Sequence, residues 1–239
     1  MRYQITRFVP RLSVAFALAI GVFTGPARAA RPVPVIPADG FVRGPARIID
    51  GDTIDIAGTR IRLEGIDAPE VGQTCQNARG ETWDCGNAAT RVMVSMTQNQ
   101  QVDCQSRGLD KYGRLLGICF VGDLDINAEM VKRGYAWAFV RYSKMYVADE
   151  AEAKKRALGI WQGPAVPAWD YRANKWTAVA VNAPQGCAIK GNVSRTGLIY
   201  HMPWSPWYEK VSMSPERGTR WFCTEAEATA AGWRAAMSR

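Results

Sequence analysis

The sequence predicts an α+β fold, a small β-barrel carrying helices and followed by a small disulfide-stapled module. Three observations predict it. Strand-like runs cluster between residues 46 and 121, separated by Gly- and Asp-containing turn signals. Helical periodicity lies between and after these runs instead of alternating with each of them. From Gln185 onward the chain becomes Trp-rich and carries Cys187 and Cys223.

The first residues stand apart from this fold. Arg2, Arg7 and Arg11 precede an apolar run from Leu12 to Phe23, and Ala27-Arg28-Ala29 supplies a small-residue cleavage site. Residues 1–29 therefore read as a secretory signal peptide cut after Ala29, set against an uncleaved anchor for which the apolar run is short. The whole chain of 239 residues has a formal charge of +8. Without the four leader arginines it carries about +4, which is compatible with a polyanionic partner without establishing one. Residues 30–42 are Pro-rich and read as an extended leader.

Each element follows from local pattern. Ile48-Ile49-Asp50-Gly51-Asp52-Thr53-Ile54 holds two β-branched stretches around Asp-Gly, which makes either a tight turn or a bend within one strand. Arg62 to Glu70 alternates as a strand until Pro69, which removes a backbone donor and holds Ala68 extended. A polar loop from Val71 to Gly86 follows. Asn87–Gln98 is helical, Gln101–Gln105 and Leu115–Val121 pair as strands, and Ile126–Arg133 is a helix stopped by Gly134. Tyr135–Val140 is a short strand, and Asp149–Leu158 is a helix supported by Glu150–Lys154 and Glu152–Arg156. Residues 164–184 read as a linker whose Trp169, Tyr171 and Trp176 dock onto something. Thr224 and Glu227 form a capping box for a last helix from Glu225 to Met237.

All six cysteines follow the leader, as expected of disulfides in an exported chain. If the hairpin turn is centred between Lys111 and Tyr112, Cys104 and Cys119 fall opposite one another at bridging distance. Cys75–Cys85 would close the polar loop and Cys187–Cys223 would staple the C-terminal part. The chain has no C-x-x-C spacing and a single histidine, so zinc is disfavoured.

Three clusters can carry chemistry: Asp50-Gly-Asp52-Thr53, Arg62 to Glu70, and Asp110-Lys111-Tyr112-Gly113-Arg114. Oxygen donors without histidine or a usable thiolate point to Ca²⁺ or Mg²⁺. Two arginines can fork onto a phosphate and stabilise charge growing on its oxygens, and a separate glutamate can orient or deprotonate water. No histidine lies between Ala30 and Tyr200, which excludes His-pair ribonuclease, His-nucleophile phosphodiesterase and Ser-His-Asp chemistry there.

The order Asp-Gly-Asp-Thr, Arg-x-x-x-x-Asp-x-Pro-Glu, Asp-Lys-Tyr-Gly-Arg and then Gly-Ile-Trp after a charged helix resembles the staphylococcal-nuclease-like (thermonuclease) family. The resemblance implies a five-stranded OB barrel with about three helices over residues 43–163, while composition marks a linker over 164–184 and a separate module over 185–239. It implies a Ca²⁺-dependent nuclease that cuts DNA, RNA or both and leaves 3′-phosphates, which with the signal peptide is expected to be exported, monomeric and without a membrane span in its mature form. Asp52 and Asp67 would ligate Ca²⁺ with the carbonyl of Ala68, and Glu70 would hold the nucleophilic water. Arg62 and Arg114 would grip the scissile phosphate, Lys111 and Tyr112 would flank a terminal phosphate, and Tyr142 would lie along the substrate. Ala68 and Val140 depart from the threonine and tyrosine of the best-known member.

Two rival readings remain. One is a catalytically inactive OB module that binds nucleic acid or protein; the other is an envelope or polysaccharide-associated protein acting through its C-terminal part. Retention of Arg62, Asp67, Glu70 and Arg114 favours the nuclease. The C-terminal aromatics read as a mini-core beneath a disulfide, and His201 as structural.

Overall fold

The computed structural model describes residues 36–110 and 114–236. The expected signal peptide and the expected substrate contacts Lys111 and Tyr112 lie outside the described residues. In chain order, the first strands are β1 (Phe41–Gly44), β2 (Ala46–Ile48), β3 (Thr53–Ile56), β4 (Thr59–Leu63), β5 (Ile66–Asp67), β6 (Cys75–Gln76) and β7 (Thr82–Trp83). Then come α1 (Cys85–Thr97), β8 (Val102–Leu109), β9 (Leu115–Val121), β10 (Leu124–Asp125), α2 (Ile126–Lys132), β11 (Trp137–Ala138) and α3 (Val147–Lys155). The chain continues through α4 (Ala168–Ala180), β12 (Ile189–Ser194), β13 (Gly197–His201), β14 (Arg220–Phe222), α5 (Glu225–Ala230) and β15 (Arg234–Ala235).

The main sheet has seven strands in the order β1-β8-β9-β4-β3-β2, with β10 added to β9. Its ladders form an open path among the described residues, where a closed five-stranded barrel was expected. Part of the difference lies at Gly65. The strand read as continuous from Arg62 breaks there because Gly65 takes φ +78°, which side-chain-bearing residues avoid. A Cβ at that position would also come 3.1 Å from the Tyr146 ring. Beyond the break, β5 leaves the sheet and pairs with β11.

Asp50-Gly-Asp52 resolves as a turn. Asp50 and Ile49 donate their N–H groups to the Thr53 carbonyl, and Ile48 faces Ile54 across β2 and β3. Within β4 the two-residue period turns Ile61 and Leu63 into the core and leaves Arg62 on the other face. The core gathers Ile54, Ile56, Ile61, Leu63, Met93, Val102, Leu115, Ile126 and Met130, all buried. Each such side chain contributes about 1.5–3 kcal/mol on leaving water.

Helix boundaries follow their caps. Helix α1 begins two residues before the expected Asn87 because the Asp84 carboxylate accepts the Asn87 N–H at 3.0 Å. Asp125 caps α2 in the same way through Ala128, and Gly134 at φ +71° ends it. The Glu150–Lys154 pair forms on α3 at 3.0 Å. Strand β11 is shorter than the Tyr135–Val140 run. The described residues hold five α-helices where about three were expected for the barrel. Helix α5 is the expected C-terminal one, and the unforeseen helix is α4, which fills the stretch read as a linker. Its apolar positions bury against both halves of the molecule, so tertiary packing sustains a helix that periodicity alone did not announce.

The C-terminal strands form a second sheet, β14-β12-β13-β15, over Ile189, Tyr200, Phe222, Ala228 and Trp233. Phe222 and Trp233 meet edge-on at 5.2 Å, as a mini-core requires. The expected helix to Met237 stops at Ala230. Thr224 accepts the Glu227 N–H as expected, but Gly232 takes φ +82° and the chain turns into β15 beside β13. The three expected disulfides are present, and Cys104 lies opposite Cys119 in the β8–β9 register. No helix among the described residues is long and apolar enough to cross a membrane.

Candidate active site

The site grows from the β2–β3 turn. The Asp52 N–H donates to Asp50 Oδ1 at 3.0 Å, which locks the turn, and the Asp52 carboxylate accepts from Thr53 Oγ1 at 3.1 Å and from the Ala68 N–H at 2.7 Å. Gly51 makes this contact possible, since a Cβ there would stand 2.7 Å from the Ala68 Cβ. Thr53 pairs with Arg62 across β3 and β4, so Asp52 and Arg62 are brought together by sheet register.

Arg62 spans two carboxylates. Its Nη1 lies 2.5 Å from Asp52 Oδ1 and its Nη2 2.6 Å from Asp67 Oδ1. Asp67 is fully buried on β5. Glu70 follows the Ala68-Pro69 corner and is held by Gln73, which accepts its N–H at 3.0 Å and donates to the Val166 carbonyl at 2.7 Å. The first turn of α1 presses on the same corner, where a Cβ on Gly86 would come 1.8 Å from the Glu70 carbonyl oxygen.

A residue absent from the sequence reading completes the cluster. Arg172, on α4, donates to both Asp67 carboxylate oxygens at 3.1 and 2.8 Å and to Glu70 Oε1 at 2.7 Å. Arg62 thus bridges Asp52 to Asp67, and Arg172 bridges Asp67 to Glu70. One signal for it stood in the sequence: Trp169, Arg172 and Trp176 are spaced three and four apart, along one stripe of a helix.

Charge in this cluster is unbalanced. Four carboxylates, those of Asp50, Asp52, Asp67 and Glu70, face two guanidiniums. Burial, reinforced by the Glu70 charge, pushes Asp50 up; burial also pushes Asp52 up, against the pull of Arg62. Glu70 is raised to about 7, mainly by burial, with Arg172 opposing and the Asp52 and Asp67 carboxylates adding to the rise. Burial disfavours the charge on Arg62 and Arg172, but their carboxylate partners hold both above the ordinary arginine range.

Such a donor set suits a hard divalent cation: it is all oxygen, buried and in excess over its counter-charges. Among the described residues, no three carboxylates already converge as a ready cage. Arg62 and Arg172 engage the oxygens that a cation would use. Asp52 and Asp67, with the backbone of Ala68 against Asp52, are the residues that would hold it.

Arg114 is steered by Asp110, which accepts its N–H at 2.9 Å and its Nε–H at 2.6 Å. It lines the same cavity of about 650 Å³ as Arg62, Glu70, Arg172 and Tyr142. Tyr142 is 67% exposed and rests 5.0 Å from Phe139. Of the sequence-predicted residues, Asp52, Arg62, Asp67, Ala68 and Glu70 are joined by contacts or lie along one loop, and Arg114 and Tyr142 share their cavity. His201 is buried with Nε2 2.9 Å from Asn192 Oδ1, and burial lowers its pKa.

Residues 60–163 match the family described as staphylococcal nuclease homologue. The chain is 36% identical to the micrococcal nuclease of Shigella flexneri over 156 residues, which cover 57% of this chain and 84% of that protein. It is 34% identical to an uncharacterized endonuclease of Escherichia coli over 150 residues, 59% of this chain and 91% of that one. It is also 37% identical to the succinoglycan biosynthesis protein ExoI of Rhizobium meliloti over 122 residues, 50% of this chain and 64% of that protein. The chain belongs to the staphylococcal nuclease family.

Proposed function

We propose that this protein is an exported, Ca²⁺-dependent nuclease that hydrolyses phosphodiester bonds of DNA, RNA or both and leaves 3′-phosphates. The observation that carries the reading is the joining of Asp52, Arg62, Asp67 and Glu70 by direct hydrogen bonds through two guanidiniums, beside a cavity that Arg114 also lines. Residues 43–163 form the catalytic part, and the three disulfides are in keeping with an oxidising compartment, periplasmic or extracellular.

In this reading Arg62 and Arg114 bind the non-bridging oxygens of the scissile phosphate and stabilise the charge that grows on them. Glu70, whose pKa burial raises to about 7 in the cation-free protein, takes the proton of the attacking water. The new bond joins water oxygen to phosphorus, the bond to the 5′-oxygen breaks with that oxygen taking a proton from solvent water, and the phosphate stays on the 3′ side. Ca²⁺ on Asp52, Asp67 and the Ala68 carbonyl would supply positive charge beside the phosphate. By the family resemblance, Lys111 and Tyr112 would flank a terminal phosphate and Tyr142 would lie along the substrate.

The test is digestion of plasmid DNA and single-stranded RNA by the oxidised protein with Ca²⁺, with Mg²⁺ and with chelator. Cleavage that requires Ca²⁺ is expected. No cleavage by folded protein that still retains DNA in a gel shift would leave a binding module in its place.

A further inference from the structure

Helix α4 joins the two sheets through the active site. Trp169 stacks on Phe139 at 5.5 Å and meets Trp137 edge-on at 6.0 Å, which anchors the helix to the catalytic part. One turn on, Arg172 reaches Asp67 and Glu70. One turn further, Trp176 packs into the C-terminal core of Ile189, Tyr200 and Phe222. A single helical stripe thereby sets the C-terminal sheet against the catalytic cleft.

The consequence is a cavity with two unlike walls. On one side stand Arg62, Glu70 and Arg114; on the other, the loop after β13 contributes Trp204 and Trp207, both part-buried. The Lys210 ammonium sits 4.4 Å over the Trp207 ring, adding positive charge beside the aromatic wall. The one carboxylate from that side, Glu225, is held by the Tyr200 hydroxyl at 2.8 Å. At about 650 Å³ the cavity has the size of an ordinary ligand pocket.

We propose that the C-terminal sheet is the second wall of the substrate cleft and that Trp204 and Trp207 stack the nucleobases of a single strand whose phosphate lies on Arg62 and Arg114. The inference rests on the nuclease reading and names the form of its substrate. Aromatic platforms beside arginines that hold the backbone phosphate suit sequence-tolerant single-strand binding, because every base offers a π-face. A duplex keeps its bases stacked on each other and cannot offer them to this wall.

The test is fluorescence anisotropy on the full, oxidised protein in chelator, with a labelled single-stranded oligothymidylate, the same oligomer carrying abasic sites, and a duplex of equal length. Single strands are expected to bind tighter than duplex, and abasic sites to weaken binding roughly tenfold or more. Trp204→Ala and Trp207→Ala should each cause a similar loss on the intact oligomer, with Trp→Phe largely restoring it. Abasic probes need no mutation, so a variant that misfolds leaves the test intact. Equal affinity for intact and abasic strands would overturn the proposal, as would tighter binding in the alanine variants, which would make the wall an obstruction. Because binding is read without hydrolysis, failure of the nuclease reading shows separately, as no cleavage of the same oligomer in Ca²⁺.

Discussion

Arg172 and Asp67, 105 residues apart in the chain, form a forked ion pair with both carboxylate oxygens engaged, and the same guanidinium reaches Glu70. Arg172 lies outside the segment matched to the family, residues 60–163, yet it touches the carboxylates at its heart. The pair is four-fifths or more buried on both sides. Removing one partner of such a pair costs about 3–5 kcal/mol because the other charge is stranded.

Arg172→Ala is therefore expected to lower unfolding free energy in chelator by about 3 kcal/mol, measured by denaturant titration. The same variant should bind Ca²⁺ several-fold more tightly in calorimetry, since a competing positive charge has left Asp67 and Glu70. Saturating Ca²⁺ should then recover much of the lost stability by mass action. Unchanged Ca²⁺ affinity would show that Arg172 and the cation do not compete.

Arg62→Ala is expected to lower turnover by roughly two to three orders of magnitude, as for loss of a transition-state donor. Arg62→Lys should not restore it, because a single ammonium cannot bridge Asp52 and Asp67 with two directed N–H groups. Arg114→Ala should show a loss of similar size with a smaller effect on stability, since Arg114 is more exposed than Arg62. Steady-state rates and denaturation midpoints of the variants check both statements.

Glu70 sets a pH dependence in the cation-free protein. Its folded value, about 7, lies above its ordinary value of 4.5, so the folded state holds a proton that the unfolded chain gives up. Stability is thus fully present below about 4.5 and is lost as pH rises through 7; the upward shifts of Asp50 and Asp52 act in the same direction. In chelator, the Tm of the wild type should fall relative to Glu70→Gln between pH 4.5 and 7 and stay level with it below. Parallel Tm curves would remove the assigned shift.

Gly86→Ala tests the support beneath Glu70. The added Cβ would overlap the Glu70 carbonyl oxygen at 1.8 Å and stand 3.2 Å from the Gln73 N–H, so the corner must move. A loss of about 1–3 kcal/mol is expected from such overpacking, with a fall in kcat at saturating substrate. An active, wild-type-stable Gly86→Ala would mean that the α1 contact does not position Glu70.

Much of this was legible in the sequence because short-range rules governed it. The Asp-Gly turn, the caps at Thr224 and the Gly134 stop, and the opposition of Cys104 to Cys119 follow from turn chemistry, capping and strand register. The carboxylate–arginine set was readable because its members lie on adjacent strands and one corner. Three features escaped for long-range reasons. The break at Gly65 lies in its left-handed backbone, beside which the Tyr146 ring is packed. Helix α4 is sustained by burial at both ends of its stripe, with Trp169 against Trp137 and Trp176 against the C-terminal core. Arg172 could be assigned only once that stripe was known to run past Asp67.

The most direct test of the central claim compares wild type and Glu70→Gln on one single-stranded oligonucleotide in Ca²⁺, reading cleavage and binding side by side. The account predicts similar binding and a rate reduced by about two orders of magnitude or more in the variant. Cleavage by Glu70→Gln at the wild-type rate would remove Glu70 as the base and, with it, this cleft as the catalytic centre.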